Sequence, residues 1–152
     1  SLYVRGRLGE EWIQDCFVDH ASYKPLVLFP SSDAITLTQS FVAGLNKPIQ
    51  LIVPDGNWKQ ASRMPKREPV LKNLLRVTLP LGEPSQYRLR KEHTPVGLGT
   101  MEAIARAFGI IENELIEKSL MHVFRLMVER TLWTKGKLRS AEVYGGIPPA
   151  EL

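Results

Sequence analysis

Apolar residues along this chain come in short runs that alternate with helical spacings. Pro25-Leu26-Val27-Leu28-Phe29 carries no polar side chain and ends at Pro30-Ser31-Ser32-Asp33, the pattern of a buried strand and its turn. Ile35, Leu37, Phe41, Val42 and Leu45 then mark a short helix that stops near Asn46-Lys47-Pro48. Ile49–Val53 predicts a second buried strand. A helix is predicted over Trp58–Met64, where Pro65 interrupts it, and Val70, Leu71, Leu74 and Leu75 resume a helical face. Val77–Leu79 is the third predicted strand, closed by Pro80.

From Leu81 to Gly99 the chain is polar and rich in Gly and Pro. Ordered connections are usually shorter, and long loops in compact domains tend to carry function. Two helices follow: Met101, Ile104, Ala105, Phe108 and Ile111 share one face of the first, and Leu120, Val123, Phe124, Met127 and Val128 one face of the second, before Leu132 and Trp133. Gly145-Gly146-Ile147-Pro148-Pro149 reads as a loosely held end. Strands that are continuous apolar runs, alternating with helices, predict a parallel sheet covered on both faces. The expectation is one α/β domain over residues 1–152, with helices on both faces of the sheet.

Composition narrows the class. At 152 residues, 43% hydrophobic and 24% charged, the chain suits a globular domain with a full core. No run of about 18 apolar residues is present, and SLYVRGRLGEEW does not read as a signal peptide, so neither a membrane nor an export role is expected. The single cysteine, Cys16, rules out an internal disulfide and a cysteine-rich zinc site, and suits the cytoplasm.

The net charge of +4 is unevenly spread. Asn57 to Glu92 holds nine Lys and Arg against three acids, which leaves eleven bases and thirteen acids elsewhere. A basic cluster of this kind is the footprint of a polyanion such as nucleic acid, or else a solvated helix face.

Three places could carry chemistry. Asp55 follows an apolar strand and precedes a helix, the junction where open α/β sheets bind ligands, and Gly56 lets the backbone bend there. An Asp-Gly turn with Asn57 capping the helix would read the same way. Trp58 could stack on a base or simply anchor the helix. Pro95-Val96-Gly97-Leu98-Gly99-Thr100-Met101-Glu102-Ala103 is a flexible turn running into a helix, with Gly99 or Thr100 as N-cap and Glu102 in the first turn. By itself this is a weak signal for a ligand loop. In Tyr87-Arg88-Leu89-Arg90-Lys91, Arg88 and Arg90 alternate with Leu89 and would project together from an extended segment, which suits phosphate or carboxylate. Lys59, Arg63, Lys66 and Arg67 fall at helical spacing just after Asp55 and would form a basic rim.

These segments together resemble the DTW-domain tRNA-uridine aminocarboxypropyltransferases. Val53-Pro54-Asp55-Gly56-Asn57-Trp58-Lys59-Gln60-Ala61 resembles the family's signature. Leu79-Pro80 with Ser85-Gln86-Tyr87-Arg88-Leu89-Arg90 resembles its second block, and Gly97-Leu98-Gly99-Thr100-Met101-Glu102-Ala103-Ile104-Ala105 its third. Leu28-Phe29-Pro30-Ser31 fits its first strand and turn. Two departures stand out: Asn57 occupies the place of the usual Thr, and the cysteine-rich N-terminal segment of many members has no counterpart, so no metal is expected.

The resemblance implies a fold related to the knotted SPOUT methyltransferases. It implies transfer of the 3-amino-3-carboxypropyl group of S-adenosylmethionine to N3 of a uridine in tRNA. On that reading Asp55 takes the N3 proton or steadies the sulfonium, and Trp58 packs on the methionine part or the uracil. Pro54, Leu79, Pro80, Tyr87, Gly97, Leu98 and Thr100 would line the donor. Lys59, Arg63, Lys66, Arg67, Arg88 and Arg90 would meet RNA, with Arg88 or Arg90 also suited to the donor's carboxylate. The rival readings are a SPOUT-type RNA methyltransferase using the same donor, and a non-catalytic RNA-binding module. No protein partner is evident.

Overall fold

The computed structural model describes residues 18–56, 58–89 and 97–147, without the side chains of residues 58, 65 and 66. The chain divides into two compact units, Ser1–Thr78 and Leu79–Leu152.

The first unit is a mixed α/β arrangement on a four-stranded sheet. Its elements are β1 (Lys24–Leu28), β2 (Ile35–Thr36), α1 (Gln39–Ala43), β3 (Ile49–Ile52), α2 (Trp58–Arg67), α3 (Pro69–Lys72) and β4 (Leu75–Thr78). The strand order is β2-β4-β1-β3, and every pair is parallel. Leu26 pairs with Leu51 on β3 and with Leu75 on β4, so β1 is central. Consecutive strand residues face opposite sides of a sheet, and Leu26, Val27 and Leu28 are all buried, so both faces of β1 are covered. Each such side chain contributes about 1.5–3 kcal/mol by leaving water. Val27 packs with Val18, Leu71 and Leu74, and Phe29, Ile52, Met64 and Val70 lie against that cluster.

Three boundaries depart from the periodicity. Ile35 was expected to begin a helix, yet Ile35–Thr36 pairs with Val77 and Thr78 of β4. The Leu37 N–H extends this pairing, donating to the Thr78 carbonyl at 2.8 Å. The helix begins only after Thr38, whose hydroxyl accepts the Phe41 N–H and caps α1. Pro65 does not stop α2, because a proline near the last turn forfeits a single N–H bond and two further residues stay helical. The break comes at Glu68, held extended ahead of Pro69. Leu75, expected on a helical face, opens β4, which ends at Thr78 and leaves Leu79 outside the strand.

The second unit is built on a helical hairpin, α4 (Thr100–Ile111) and α5 (Glu114–Thr134). The Asn113 side chain caps α5 by accepting from the Leu115 and Ile116 N–H groups at 3.0 and 3.2 Å. Gly109 permits the close crossing near the turn: a Cβ there would fall 2.9 Å from the Glu117 Cβ. Phe124, Val128 and Leu132 form the core, and Tyr87, Leu89, Met101, Met121 and Leu138 pack against it. Among the described residues no helix is long and apolar enough to cross a membrane.

Candidate functional site

In a parallel sheet all strands end at one edge, and β3 delivers Asp55 three residues beyond its own end. Pro54 is buried and holds the chain as it leaves the sheet, while Asp55 and Gly56 are exposed. Gly56 has φ of 149°, which L side chains rarely adopt. A Cβ at that position would also lie 3.2 Å from both Cβ and Oε1 of Gln60. Glycine at 56 is thus required twice over, by the turn and by the first turn of α2 folding back on it.

α2 sorts its side chains by face. Ala61 is buried and Met64 packs on the core, whereas Lys59, Arg63 and Arg67 are exposed at intervals of four. With a rise of 1.5 Å per residue, these three cations make a stripe about 12 Å long. Three positive charges on a solvent face beside a ligand edge suit successive phosphates of a polyanion.

In the second unit one carboxyl group organises the loops. Glu102 is completely buried in the first turn of α4. Its Oε2 accepts from the Ser85 hydroxyl at 2.5 Å and from the Gly99 N–H at 3.0 Å, and its Oε1 accepts from the Gln86 N–H at 2.6 Å. The bond to Gly99 is half of a capping box, since glycine has no side chain to return the second bond. The other two bonds tie the 85–86 segment to the start of α4. Gly99 eases this closeness: a Cβ there would lie 3.3 Å from Glu102 Oε2, a tight contact, and in ordinary contact with Tyr87 Cγ at 3.5 Å. The positive end of the helix favours the carboxyl group in that place.

A second carboxylate, Glu129 of α5, is also buried. Arg88 Nη2 and Arg125 Nε both donate to its Oε1, at 3.1 and 2.9 Å, and the Tyr144 N–H donates to its Oε2 at 2.7 Å. Burial alone would raise its pKa. The hydrogen bonds from Arg125 and from the Tyr144 backbone, with the charges of Arg125 and Arg88, outweigh burial and hold it below the usual carboxylate range. The Arg125 guanidinium lies 4.1 Å from the Tyr144 ring centroid, a cation–π contact. An open cleft of about 340 Å³ is lined by Ser85, Gln86, Arg88, Arg125, Val128 and Glu129.

The residues singled out from the sequence are spread over these features. Asp55 and Pro54 stand at the strand end, with the stripe of Lys59, Arg63 and Arg67 behind them. Leu79 is half-buried and Pro80 exposed, directly after β4. Gly97 and Leu98 lead to Gly99, which is the N-cap of α4, so Thr100 is its first helical residue rather than the cap. Tyr87 sits in the core beside Phe124, with ring centroids 6.0 Å apart, and is a packing residue as well as a candidate ligand contact. Arg88 does not alternate along an extended segment as expected: Arg88 and Leu89 lie in a turn, Leu89 enters the core and Arg88 pairs with Glu129. Asn57, Arg90 and the side chains of Trp58 and Lys66 lie outside the described residues.

Sequence reasoning passed over Arg125 and Glu129 and gave Glu102 only a helix-end role. The i, i+4 spacing of Arg125 and Glu129 signals a local pair, but their meeting with Arg88 is set by the fold. Among the described residues no group of three or more His, Cys, Asp or Glu is placed to hold a metal ion.

Comparison with known proteins agrees with these segments. Residues 2–132 match the DTW domain family. The chain is 27% identical over 115 residues to tRNA-uridine aminocarboxypropyltransferase 2 of Macaca fascicularis, which covers 75% of this chain and 39% of that protein. The Mus musculus protein of the same name is 27% identical over 120 residues, covering 78% and 40%. Its Drosophila melanogaster namesake is 32% identical over 93 residues, covering 60% and 36%. This chain thus spans about two fifths of the length of the curated relatives it matches. No solved structure matches it. Because the family match takes in both compact units and includes the Asp-Gly-Asn-Trp signature behind the third strand, this chain belongs to the DTW domain family.

Proposed function

We propose that this chain is the transferase domain of a tRNA-uridine aminocarboxypropyltransferase, moving the 3-amino-3-carboxypropyl group of S-adenosylmethionine to N3 of a uridine in tRNA. The observation that carries the reading is the DTW family match over residues 2–132, with relatives named for this activity. The single-domain organisation belongs to the same proposal, as does a knotted SPOUT-like fold, which the all-parallel sheet with its crossover connections supports. A cytoplasmic site of action accords with a tRNA acceptor.

The residues present fit such a donor. An exposed carboxylate at a strand's carboxyl end suits a cationic sulfonium. Bound S-adenosylmethionine supplies an electrophilic carbon and a neutral leaving group, methylthioadenosine. Uridine N3 carries a proton and attacks poorly until it is removed. Asp55 is the group assigned to accept it, as general base. In the transfer that proton passes to Asp55, the bond from N3 to carbon forms, and the bond from carbon to sulfur breaks. Trp58 is assigned to packing on the reactants, and Pro54, Leu79, Pro80, Tyr87, Gly97, Leu98 and Thr100 to the donor, by the likeness of their segments to the family's blocks. Lys59, Arg63, Lys66, Arg67, Arg88 and Arg90 are assigned to RNA, and the exposed stripe on α2 supports the assignment of Lys59, Arg63 and Arg67.

Nucleoside mass spectrometry tests the reading. Unmodified tRNA incubated with the protein and S-adenosylmethionine should yield a uridine heavier by one aminocarboxypropyl group. A methyl increment would make the chain a methyltransferase, and unchanged nucleosides with tRNA still bound would make it a binding module.

A further inference from the structure

We propose that the cleft lined by Gln86, Arg88, Arg125, Val128 and Glu129 is an anion subsite that takes a phosphodiester of the RNA chain. The inference rests on the reading of the protein as an RNA-modifying enzyme and adds Arg125, on α5, to the residues that hold the substrate.

Glu129 Oε1 accepts one donor from each of the two arginines, which sets the guanidiniums side by side. A guanidinium has five N–H donors, so this arrangement uses one from each and leaves the rest of both forks for a ligand. The side chains of Arg88 and Arg125 are 53% and 51% exposed. Glu129 itself does not repel an incoming anion strongly, because both of its oxygens already accept hydrogen bonds, Oε2 from the Tyr144 N–H. Two guanidiniums and one carboxylate leave a local charge of +1, the complement of a single phosphodiester. Arginine forks match the paired oxygens of such a group. The exposed Gln86 amide adds a neutral donor and acceptor.

Openness decides between phosphate and a small carboxylate. Small-molecule sites bury most of their ligand. A cleft whose two cations are each half exposed suits a polymer backbone passing across it.

The test is the affinity of the 152-residue chain for an unmodified tRNA transcript across a salt series, compared with Arg125→Gln, Arg88→Gln and Arg125→Lys. Losing one phosphate contact should weaken binding about tenfold at low salt and lower the slope of log K against log salt by about 0.7–0.9. Arg125→Lys keeps the charge and should keep the slope while losing part of the affinity. Unchanged slopes in both Gln variants overturn the proposal, and so does a slope lowered equally in Arg125→Lys, which marks a structural effect. Calorimetry with S-adenosylmethionine should give equal affinity for all variants; loss there in place of RNA affinity assigns the anion to the donor's carboxylate and also overturns it. Should Arg125→Gln fail to fold, Arg88→Gln carries the test from the turn. Transfer by the unaltered protein is assayed in the same preparation. If it transfers and the slopes do not change, the subsite fails alone; if it does not transfer, the functional reading fails while the slopes still report on the cleft.

Discussion

Replacing Glu102 by Gln changes one oxygen for an NH2 group and leaves the volume almost untouched, so it isolates the hydrogen bonding of the buried carboxyl group. Oε2 receives two donors, the Ser85 hydroxyl and the Gly99 N–H, and Oε1 receives one, the Gln86 N–H. The amide does best with its oxygen in the Oε2 position. Its NH2 then faces the Gln86 N–H, donor against donor. The lost bond and the opposed donors together cost about 2 kcal/mol, part of the penalty being relieved by water at the partly exposed Gln86. For a chain of this size that lowers the melting temperature by about 4–8 °C. Glu102→Ala removes all three bonds and leaves a cavity, for about 3–5 kcal/mol. Ser85→Ala deletes one donor and should cost about 1 kcal/mol. Because every partner lies in the second unit, hydrogen exchange is the sharper assay. In Glu102→Gln the Gln86 amide, which loses its acceptor, should exchange about thirtyfold faster, the equivalent of about 2 kcal/mol in local opening, and the Gly99 amide, which keeps its acceptor, by less. Unaltered protection of both amides would refute the claim that Glu102 joins these segments.

Asp55→Asn should abolish transfer and leave tRNA affinity nearly intact, as measured by product mass and by anisotropy; turnover that persists removes Asp55 from the mechanism. Replacing Lys59, Arg63 and Arg67 together with Gln should lower the salt slope of tRNA binding by about 2–3, one increment for each exposed cation on α2. A slope that stays put makes that stripe a solvated face. Glu129 gives a pH dependence: its carboxyl is held below its ordinary value of 4.5, so its contribution to stability is complete above about pH 5 and is lost as pH falls through the lowered value. Urea midpoints from pH 6 to pH 3 should therefore fall less steeply in Glu129→Gln than in the unaltered protein, and parallel curves would count against the network.

The parts of this molecule legible in its sequence are those set by local pattern. β1 reads as an apolar run after Lys24 because both of its faces are covered, whereas β3, expected to be buried, is an edge strand interrupted by Gln50 and only half-buried; the extents of both were readable to within a residue or two. Asp55 and Gly56 were readable as a strand end because the apolar run stops there. Ile35 was not readable as a strand. It is exposed, its strand has two residues, and only pairing with β4, forty-two positions on, makes it one. A spacing that also fits Phe41 and Val42 pulled it toward helix. Leu75 was misread for the same reason, since its strand pairing reaches back to Leu26. In the second unit, Glu102 reads as a helix-start acid, and its bonds to Ser85 and Gln86 cross a loop that no periodicity spans. The partnership of Arg88 with Glu129 joins residues forty-one apart and left no local trace.

The placing of β1 at the centre of the sheet has a consequence for the protein's synthesis. Leu26 needs Leu51 on one side and Leu75 on the other. The ribosome adds ~5–20 residues per second, so roughly 2–10 s separate the making of Leu26 from that of Leu75. Through that interval Leu26, Val27 and Leu28, all buried in the finished protein, have neighbours on one edge at most. Until β4 emerges, the nascent chain carries an apolar strand with an open edge, the kind of edge on which another chain can pair.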